Sequence, residues 1–202
     1  MRSALLSLPG FLLLAAPAAA ESISSLDHAS LRNDLSLREL FRSDVESMSD
    51  RRVGRLRDVL INEQGEITTA VVEFDEGIGN SGFAIALMEW SETALEPTDG
   101  AITISIGSDN QASDAFNTEG VPARDVIGRS VVLKDDEEFG TIKNILIDPR
   151  TRQPTAVLVA ADDASYALPY PAGRVRQGDD TIRFDVSREN VEALGEFDHE
   201  SD

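Results

Sequence analysis

The sequence predicts an all-β protein with two small antiparallel β-barrels in tandem, preceded by a signal peptide. Three observations carry this prediction. The chain of 202 residues repeats itself at a shift of 86 positions. Within each copy, short apolar runs are separated by turn residues, which is typical of antiparallel barrels and sandwiches. The hydrophobic content of 41% is sufficient for a packed core.

The first element is a secretory signal peptide over residues 1–20. Arg2 is its only charge, a leucine-rich stretch follows, and Ala18–Ala20 provides small residues before Glu21. This order of a positive start, a short apolar run and a small-residue exit is the signature of export. Pro9 and its neighbours interrupt the run, which is too short to span a membrane. We expect cleavage after Ala20, a periplasmic or secreted mature protein, and no membrane span in it.

The repeat is clearest where residues 53–72 are set against residues 139–158. Six of these twenty positions are identical, including Gly54 with Gly140. A chance pairing would give about one identity. A glycine just before a strand core marks a bulge or a sharp corner where a side chain would clash. We therefore expect Gly54 and Gly140 to be structural turn glycines.

The strands follow in the same order in both copies. Asn, Asp, Gly and Pro stand between them, and these residues favour turns. The expected strands are Val53–Ile61, Ile67–Phe74, Phe83–Met88 and Ala101–Ile106 in the first copy, and Phe139–Ile147, Thr155–Ala160, Ser165–Leu168 and Thr181–Val186 in the second.

Each copy is small, and a unit of this size buries so little surface that its stability alone is marginal. We therefore expect the two copies to pack together or the protein to form a homodimer. The expected divisions are a signal peptide at 1–20, a polar lead-in at 21–39, a first repeat at 40–116, a linker at 117–125, a second repeat at 126–197 and an acidic tail at 198–202.

The motifs of the second repeat resemble the PRC-barrel family. They are the run Val126–Val132, the strand start Phe139–Ile142 and the segment Ala167–Tyr170. The first repeat is a weaker match, since Arg42 stands where the family commonly has its first glycine and Met88 where it has a proline. The resemblance implies a small β-barrel of about six strands that packs on other proteins as an adaptor. It implies no shared catalytic residues.

The formal net charge of −19 and the absence of cysteine exclude several classes. A chain of this charge repels phosphate, so we expect no nucleic-acid partner. Without cysteine there is no thiol catalysis and no cysteine zinc site. His28 and His199 lie outside both repeats, and we expect them to be mobile and exposed. We therefore expect no catalytic, cofactor-binding or metal-binding residues.

The candidate partner-binding residues are Gly77, Gly79 and Gly82 in a glycine-rich loop inserted in the first repeat, with Trp90 and Tyr170. For the two aromatic residues, core packing or a contact between the barrels is the structural alternative. The function we expect is that of an exported, non-enzymatic binding or assembly module of the cell envelope acting on a protein partner. The alternatives are a divalent-cation-responsive envelope protein and a hydrolase that uses paired acidic residues.

Overall fold

The computed structural model describes residues 26–47, 51–75, 85–98, 101–106 and 120–199. The expected signal peptide and the loop glycines Gly77, Gly79 and Gly82 lie outside the described residues. Within the described ranges, no helix is long and apolar enough to cross a membrane.

Strands dominate the first half of the described chain, and its helices are single turns. A 3-10 turn at Trp90–Glu92 joins its fifth and sixth strands. Its elements are α1 (His28–Leu31), β1 (Leu35–Ser36), α2 (Leu37–Leu40), β2 (Asp44–Ser47), β3 (Arg52–Ile61), β4 (Ile67–Phe74), β5 (Ile85–Glu89), β6 (Thr93–Thr98) and β7 (Ala101–Ile106).

The second half repeats this order with one strand fewer. A 3-10 turn at Lys134–Asp136 precedes its longest strand. Its elements are β8 (Val121–Pro122), α3 (Ala123–Val126), β9 (Ser130–Val132), β10 (Glu138–Ile147), β11 (Pro154–Ala161), β12 (Ala164–Pro169), β13 (Thr181–Arg183) and α4 (Arg188–Leu194).

The strands form two sheets, which confirms the prediction of a mostly β fold with two related units. One sheet has the order β5-β4-β3-β2-β7-β6 and the other the order β12-β11-β10-β9-β13. Strands joined by short turns, such as β3 with β4 and β10 with β11, pair antiparallel, as expected for hairpins. The pairs β2–β7 and β9–β13 are parallel instead, because a longer connection returns the last strand to the side of an earlier one.

The two sheets exchange their first strands. β1 precedes the first repeat but pairs with β10 of the second, and β8 precedes the second repeat but pairs with β3 of the first. The registers are equivalent, since Leu35 pairs with Ile147 and Val121 with Ile61. Leu35 and Val121 are 86 positions apart, and so are their partners Ile61 and Ile147. Regular structure common to both copies thus begins upstream of residues 40 and 126, inside the expected lead-in and linker.

The exchange joins the two copies into one body. A single cluster of buried residues runs through both, including Val59 and Trp90 from the first copy and Ile145 and Leu168 from the second. The copies therefore pack together, as their small size predicts.

Gly54 and Gly140 lie where the backbone of each long strand comes close to that of its neighbour. A Cβ at Gly54 would lie 2.2 Å from the Glu73 carbonyl oxygen, and one at Gly140 would lie 2.2 Å from that of Ala160. The backbone φ of neither residue is positive. Close approach of the strands, and not an unusual backbone conformation, thus requires glycine at both positions.

The expectation of two mobile, exposed histidines is wrong. His199 is only 7% exposed, and its Nε2 lies 3.0 Å from the Asp34 carbonyl oxygen. The rings of His28 and Phe197 meet edge-on at 5.1 Å. Phe197 packs with Leu31 against the second sheet, and burying this apolar surface holds the first and last described segments in place.

Candidate functional site at the junction of the two copies

Residues related by the shift of 86 are called equivalent below, and at the junction equivalent residues meet each other. The Ile67 amide donates to Oε1 of Gln153 at 2.8 Å, and these two positions are equivalent. A residue that contacts its own equivalent lies near a twofold axis. The two copies are thus related by an approximate twofold axis that passes through this junction.

Asp58 and Asn144 form a second equivalent pair, and each lies at a bulge in its long strand. Asp58 Oδ1 accepts from the Val59 amide at 2.8 Å and from the Arg124 amide at 3.2 Å. Asn144 Oδ1 accepts from the Ile145 amide at 2.9 Å and from the Arg38 amide at 3.3 Å. Each side chain therefore ties its own bulge to the helical turn donated by the other copy.

The two side chains differ in charge, and their surroundings differ with them. Burial is the main cause that raises the pKa of Asp58, while hydrogen bonds from Val59 and Arg124 act in the opposite direction. Asn144 is 1% exposed and its amide nitrogen donates to Ser36 Oγ at 2.6 Å. A neutral amide suits this fully buried position, since an ionised group there would lose its hydration.

Trp90 lies at the junction and is 1% exposed. Its Nε1 donates to the Arg152 carbonyl oxygen at 2.7 Å, across from one copy to the other. Arg152 has a positive φ of 60° and its guanidinium donates back to the Thr93 carbonyl oxygen. Hydrogen bonds in both directions thus connect the segment around Trp90 with this turn of the second copy.

Tyr170 makes the corresponding contact in the opposite direction. It is 6% exposed and its ring lies against the turn of the first copy at Gly65. A Cβ at Gly65 would come within 3.1 Å of the Tyr170 ring. Among the described residues the Tyr170 hydroxyl has no hydrogen-bond partner, and burial raises the pKa of that hydroxyl well above its usual range.

The contact between the copies therefore occupies both aromatic side chains proposed for partner binding. Trp90 and Tyr170 are buried in one molecule and offer little surface to another. The structural alternative, core packing or a contact between the two copies, is the one that these positions favour.

A groove of about 940 Å³ borders the junction beside Tyr170. Asp34 and Asp148 line it together with Arg150. Burial raises the pKa of Asp34, and the charge of Asp148 adds to this. Hydrogen bonds from Arg150 lower the pKa of Asp148. Two carboxyl groups with opposite pKa shifts thus share one groove.

Within the described part of the chain, no group of three or more His, Asp or Glu side chains is arranged to hold a metal ion. The Asp34 carboxylate is engaged by Thr155 Oγ1 at 2.5 Å, and Asp148 Oδ1 accepts from the Arg150 amide at 2.8 Å. These hydrogen bonds orient both carboxylates within the fold.

The outer edges of the two sheets differ. The edge of β12 is met by the C-terminal segment, whose Phe197 amide donates to the Ser165 carbonyl oxygen at 2.8 Å. β5, which lies beside β4 as β12 lies beside β11, pairs with β4 alone among the described residues. Ile85 at its start is 54% exposed. Such an edge presents unpaired backbone groups to other chains.

Sequence reasoning missed the exchanged strands and the pair of Asp58 and Asn144. A signal for both was present, since the shift of 86 continues upstream and aligns Arg38 with Arg124 and Leu40 with Val126. The groove carboxylates had no such signal. Asp34 and Asp148 are far apart in sequence and meet only through the pairing of β1 with β10.

Comparison with known families gives one match. Residues 119–191 match the family model of the PRC-barrel domain. The matched range begins just before β8 and covers the second copy up to α4. None of the curated proteins matches the chain.

Proposed function

We propose, for a chain whose residues 119–191 belong to the PRC-barrel family, the function of an exported, non-enzymatic binding module. It would bind an extended segment of a protein partner at the β5 edge of its first sheet. The fold itself does not specify an activity, so the proposal depends on the accessible surface.

The observation that carries the proposal is the difference between the two edges. β12 is engaged by the C-terminal segment through Phe197, whereas β5 has a described partner on one side only. An extended peptide adds to such an edge through backbone hydrogen bonds, and pockets beside it select the side chains. Ile85 supplies an exposed apolar contact at the start of that edge.

Charge supports a partner with basic residues. The net charge of −19 favours approach of a positively charged segment and disfavours acidic ones. Beside β5, Glu73 and Glu89 flank the edge on its neighbouring strand and at its end.

Location in the periplasm or outside the cell is part of the proposal. Its support is the pattern of residues 1–20, which has the charge, apolar run and small-residue exit of a signal peptide. Mass spectrometry of the mature protein from its own envelope fraction tests this, and a chain beginning at Met1 there would contradict it.

Site-specific photo-crosslinking tests the binding edge. A crosslinker at Ile85 of the full chain should capture one protein from the envelope, and a crosslinker at Ser165 on the β12 edge should not. Ile85→Lys should abolish the interaction by placing a charge on the edge, while Ser165→Lys serves as the matched control. Equal capture at both edges would overturn the proposal.

A second candidate function, hydrolysis by paired acids, is favoured by one observation. Asp34 and Asp148 line one groove, and the pKa of the first is raised while that of the second is lowered. Such separation is how two carboxylates divide the roles of acid and base. A screen of ester, phosphate and glycoside substrates tests it, with Asp34→Asn as the inactive variant and Asp162→Asn as the control. Turnover that survives Asp34→Asn, or no turnover, removes this candidate.

A further inference from the structure

A second cavity lies where the exchanged helical turns α2 and α3 meet. It has a volume of about 370 Å³ and is lined by Arg38, Phe41, Arg42, Arg124 and Ile127. It is named the arginine pocket below. Three of its five lining residues are arginines and none is acidic, although the chain has 37 acidic residues against 18 basic ones.

The approximate twofold axis explains the composition of the arginine pocket. Arg38 is equivalent to Arg124, and Phe41 is equivalent to Ile127. Both members of each pair line the pocket because the strand exchange brings α2 and α3 together. A single arginine per copy at this position thus yields two guanidinium groups in one place.

The third arginine breaks this symmetry. Arg42 is equivalent to Gly128 of the second copy, where a glycine with a φ of 102° ends the turn. Arg42 does not have a positive φ. The first copy thus has a cationic side chain at a position where the second copy has glycine. That side chain lines the pocket.

Arg124 is held in place before any ligand binds. Its Nε donates to the Arg57 carbonyl oxygen at 2.6 Å, and its guanidinium carbon lies 4.4 Å from the centre of the Phe41 ring. These two contacts fix the plane of the guanidinium and leave its terminal nitrogens for a ligand. An arginine fixed in this way loses little conformational entropy on binding.

Arg38 and Arg42 add charge that the described residues leave uncompensated. Among those residues, neither guanidinium forms an ion pair with a carboxylate. Asp58 lies near Arg124 and accepts from its backbone amide, so it offsets part of one charge. Like charges held together repel, and an anion with several acceptor oxygens would relieve this repulsion.

We propose that the arginine pocket binds a small oxyanion ligand, a phosphate or a carboxylate. Guanidinium groups recognise both through paired N–H donors. The volume of about 370 Å³ suits a small molecule or a single anionic group. The Phe41 ring offers an apolar wall for the rest of the ligand. This site is separate from the β5 edge, so either proposal stands if the other fails.

Thermal unfolding and calorimetric titration of the mature chain test the proposal. Inorganic phosphate and citrate are the two probes, and sodium chloride at matched ionic strength is the reference. Saturable binding of phosphate alone assigns the site to phosphate ligands, and of citrate alone to carboxylate ligands. Arg42→Gln should weaken binding about tenfold, the loss of one strong charge-assisted contact. The triple variant Arg38→Gln, Arg42→Gln and Arg124→Gln should abolish it.

The matched control is the triple variant Arg52→Gln, Arg55→Gln and Arg183→Gln, which removes three surface arginines that already pair with carboxylates. It changes the net charge equally and should bind both probes as the wild type does. Thermal unfolding without ligand shows that each variant is folded. Stabilisation by both probes no greater than by sodium chloride would overturn the proposal. So would equal weakening in the two triple variants, because that pattern reports net charge alone.

Discussion

The two copies share a backbone plan and differ at their edges. In the second copy the C-terminal segment covers β12 through Phe197, while in the first copy β5 keeps Ile85 54% exposed. The first copy has instead the additional strand β6 at its other edge. The order of paired strands is thus the same within the two sheets, while their outer edges differ. A surface for a partner is expected where the copies diverge.

The same comparison applies at the junction. Asp58 and Asn144 accept equivalent hydrogen bonds, yet one is an acid and the other a fully buried amide. Trp90 and Tyr170 pack on equivalent turns, yet only Trp90 has a described hydrogen bond for its polar atom. The two copies therefore keep their geometry at the junction while their chemistry differs. The variants below measure how much of that chemistry matters.

The largest effect is expected for Trp90→Ala. Removing a fully buried indole between the copies should lower the free energy of unfolding by about 3–5 kcal/mol. Trp90→Phe keeps most of the packing and loses the hydrogen bond to Arg152, so its cost should be about 1–2 kcal/mol. Urea unfolding followed by circular dichroism measures both. A loss below 1 kcal/mol for Trp90→Ala would show that the junction is not where the copies are stabilised.

Gly54→Ala and Gly140→Ala should each cost about 3 kcal/mol, because the new Cβ would collide with a backbone oxygen that cannot move easily. The two costs should be similar, since the close approach is the same in both copies. Gly178→Ala is the control, because nothing lies within 4 Å of its Cβ position. Only its positive φ is strained, at a cost of about 1 kcal/mol. Clearly unequal losses of stability for the two variants would show that the close approach of the strands is not the same in the two copies.

Asn144→Asp and Asp58→Asn are expected to change the free energy of unfolding at pH 7 in opposite directions. Asn144→Asp places a carboxylate in a buried site and removes the donor to Ser36, so it should lose about 2 kcal/mol at pH 7. This loss should shrink as the pH falls and the new carboxyl group becomes protonated.

Asp58→Asn should be more stable than the wild type at pH 7. The pKa of Asp58 is raised, so the fold favours its protonated form and loses stability as the pH rises through that pKa. Asparagine removes this loss, and the gain should shrink as the pH falls through about 4, the range in which aspartate in the unfolded chain becomes protonated as well. Unfolding at pH 3 and pH 7 measures it, and a variant less stable at pH 7 would contradict a net cost of the Asp58 charge.

The smallest effect is expected for Tyr170→Phe. The hydroxyl has no hydrogen-bond partner among the described residues, so its removal should change the free energy of unfolding by less than about 0.5 kcal/mol. Trp90→Phe is the natural comparison, because its lost donor has a partner. A loss above 1 kcal/mol at Tyr170 would indicate a bridging water at the hydroxyl.

Much of the fold was predictable because it depends on local patterns. Alternating apolar residues and turn residues predict β10 and β11, and the close approach at each long strand requires a glycine that the repeat makes visible. The groove lined by Asp34 and Asp148 was not predictable in this way. Asp34 has no motif, and its raised pKa results from burial beside Asp148 after the chain has folded.

The sequence by itself determined the β architecture, the duplication at a shift of 86 and the need for glycine at residues 54 and 140. Periodicity, turn chemistry and self-similarity are local properties that a sequence displays directly. Only the tertiary structure decided that β1 and β8 exchange sheets, that His199 is buried, and that Arg38, Arg42 and Arg124 share one pocket. These features depend on contacts between distant segments, and their energy comes from burial across the junction, which no local pattern records.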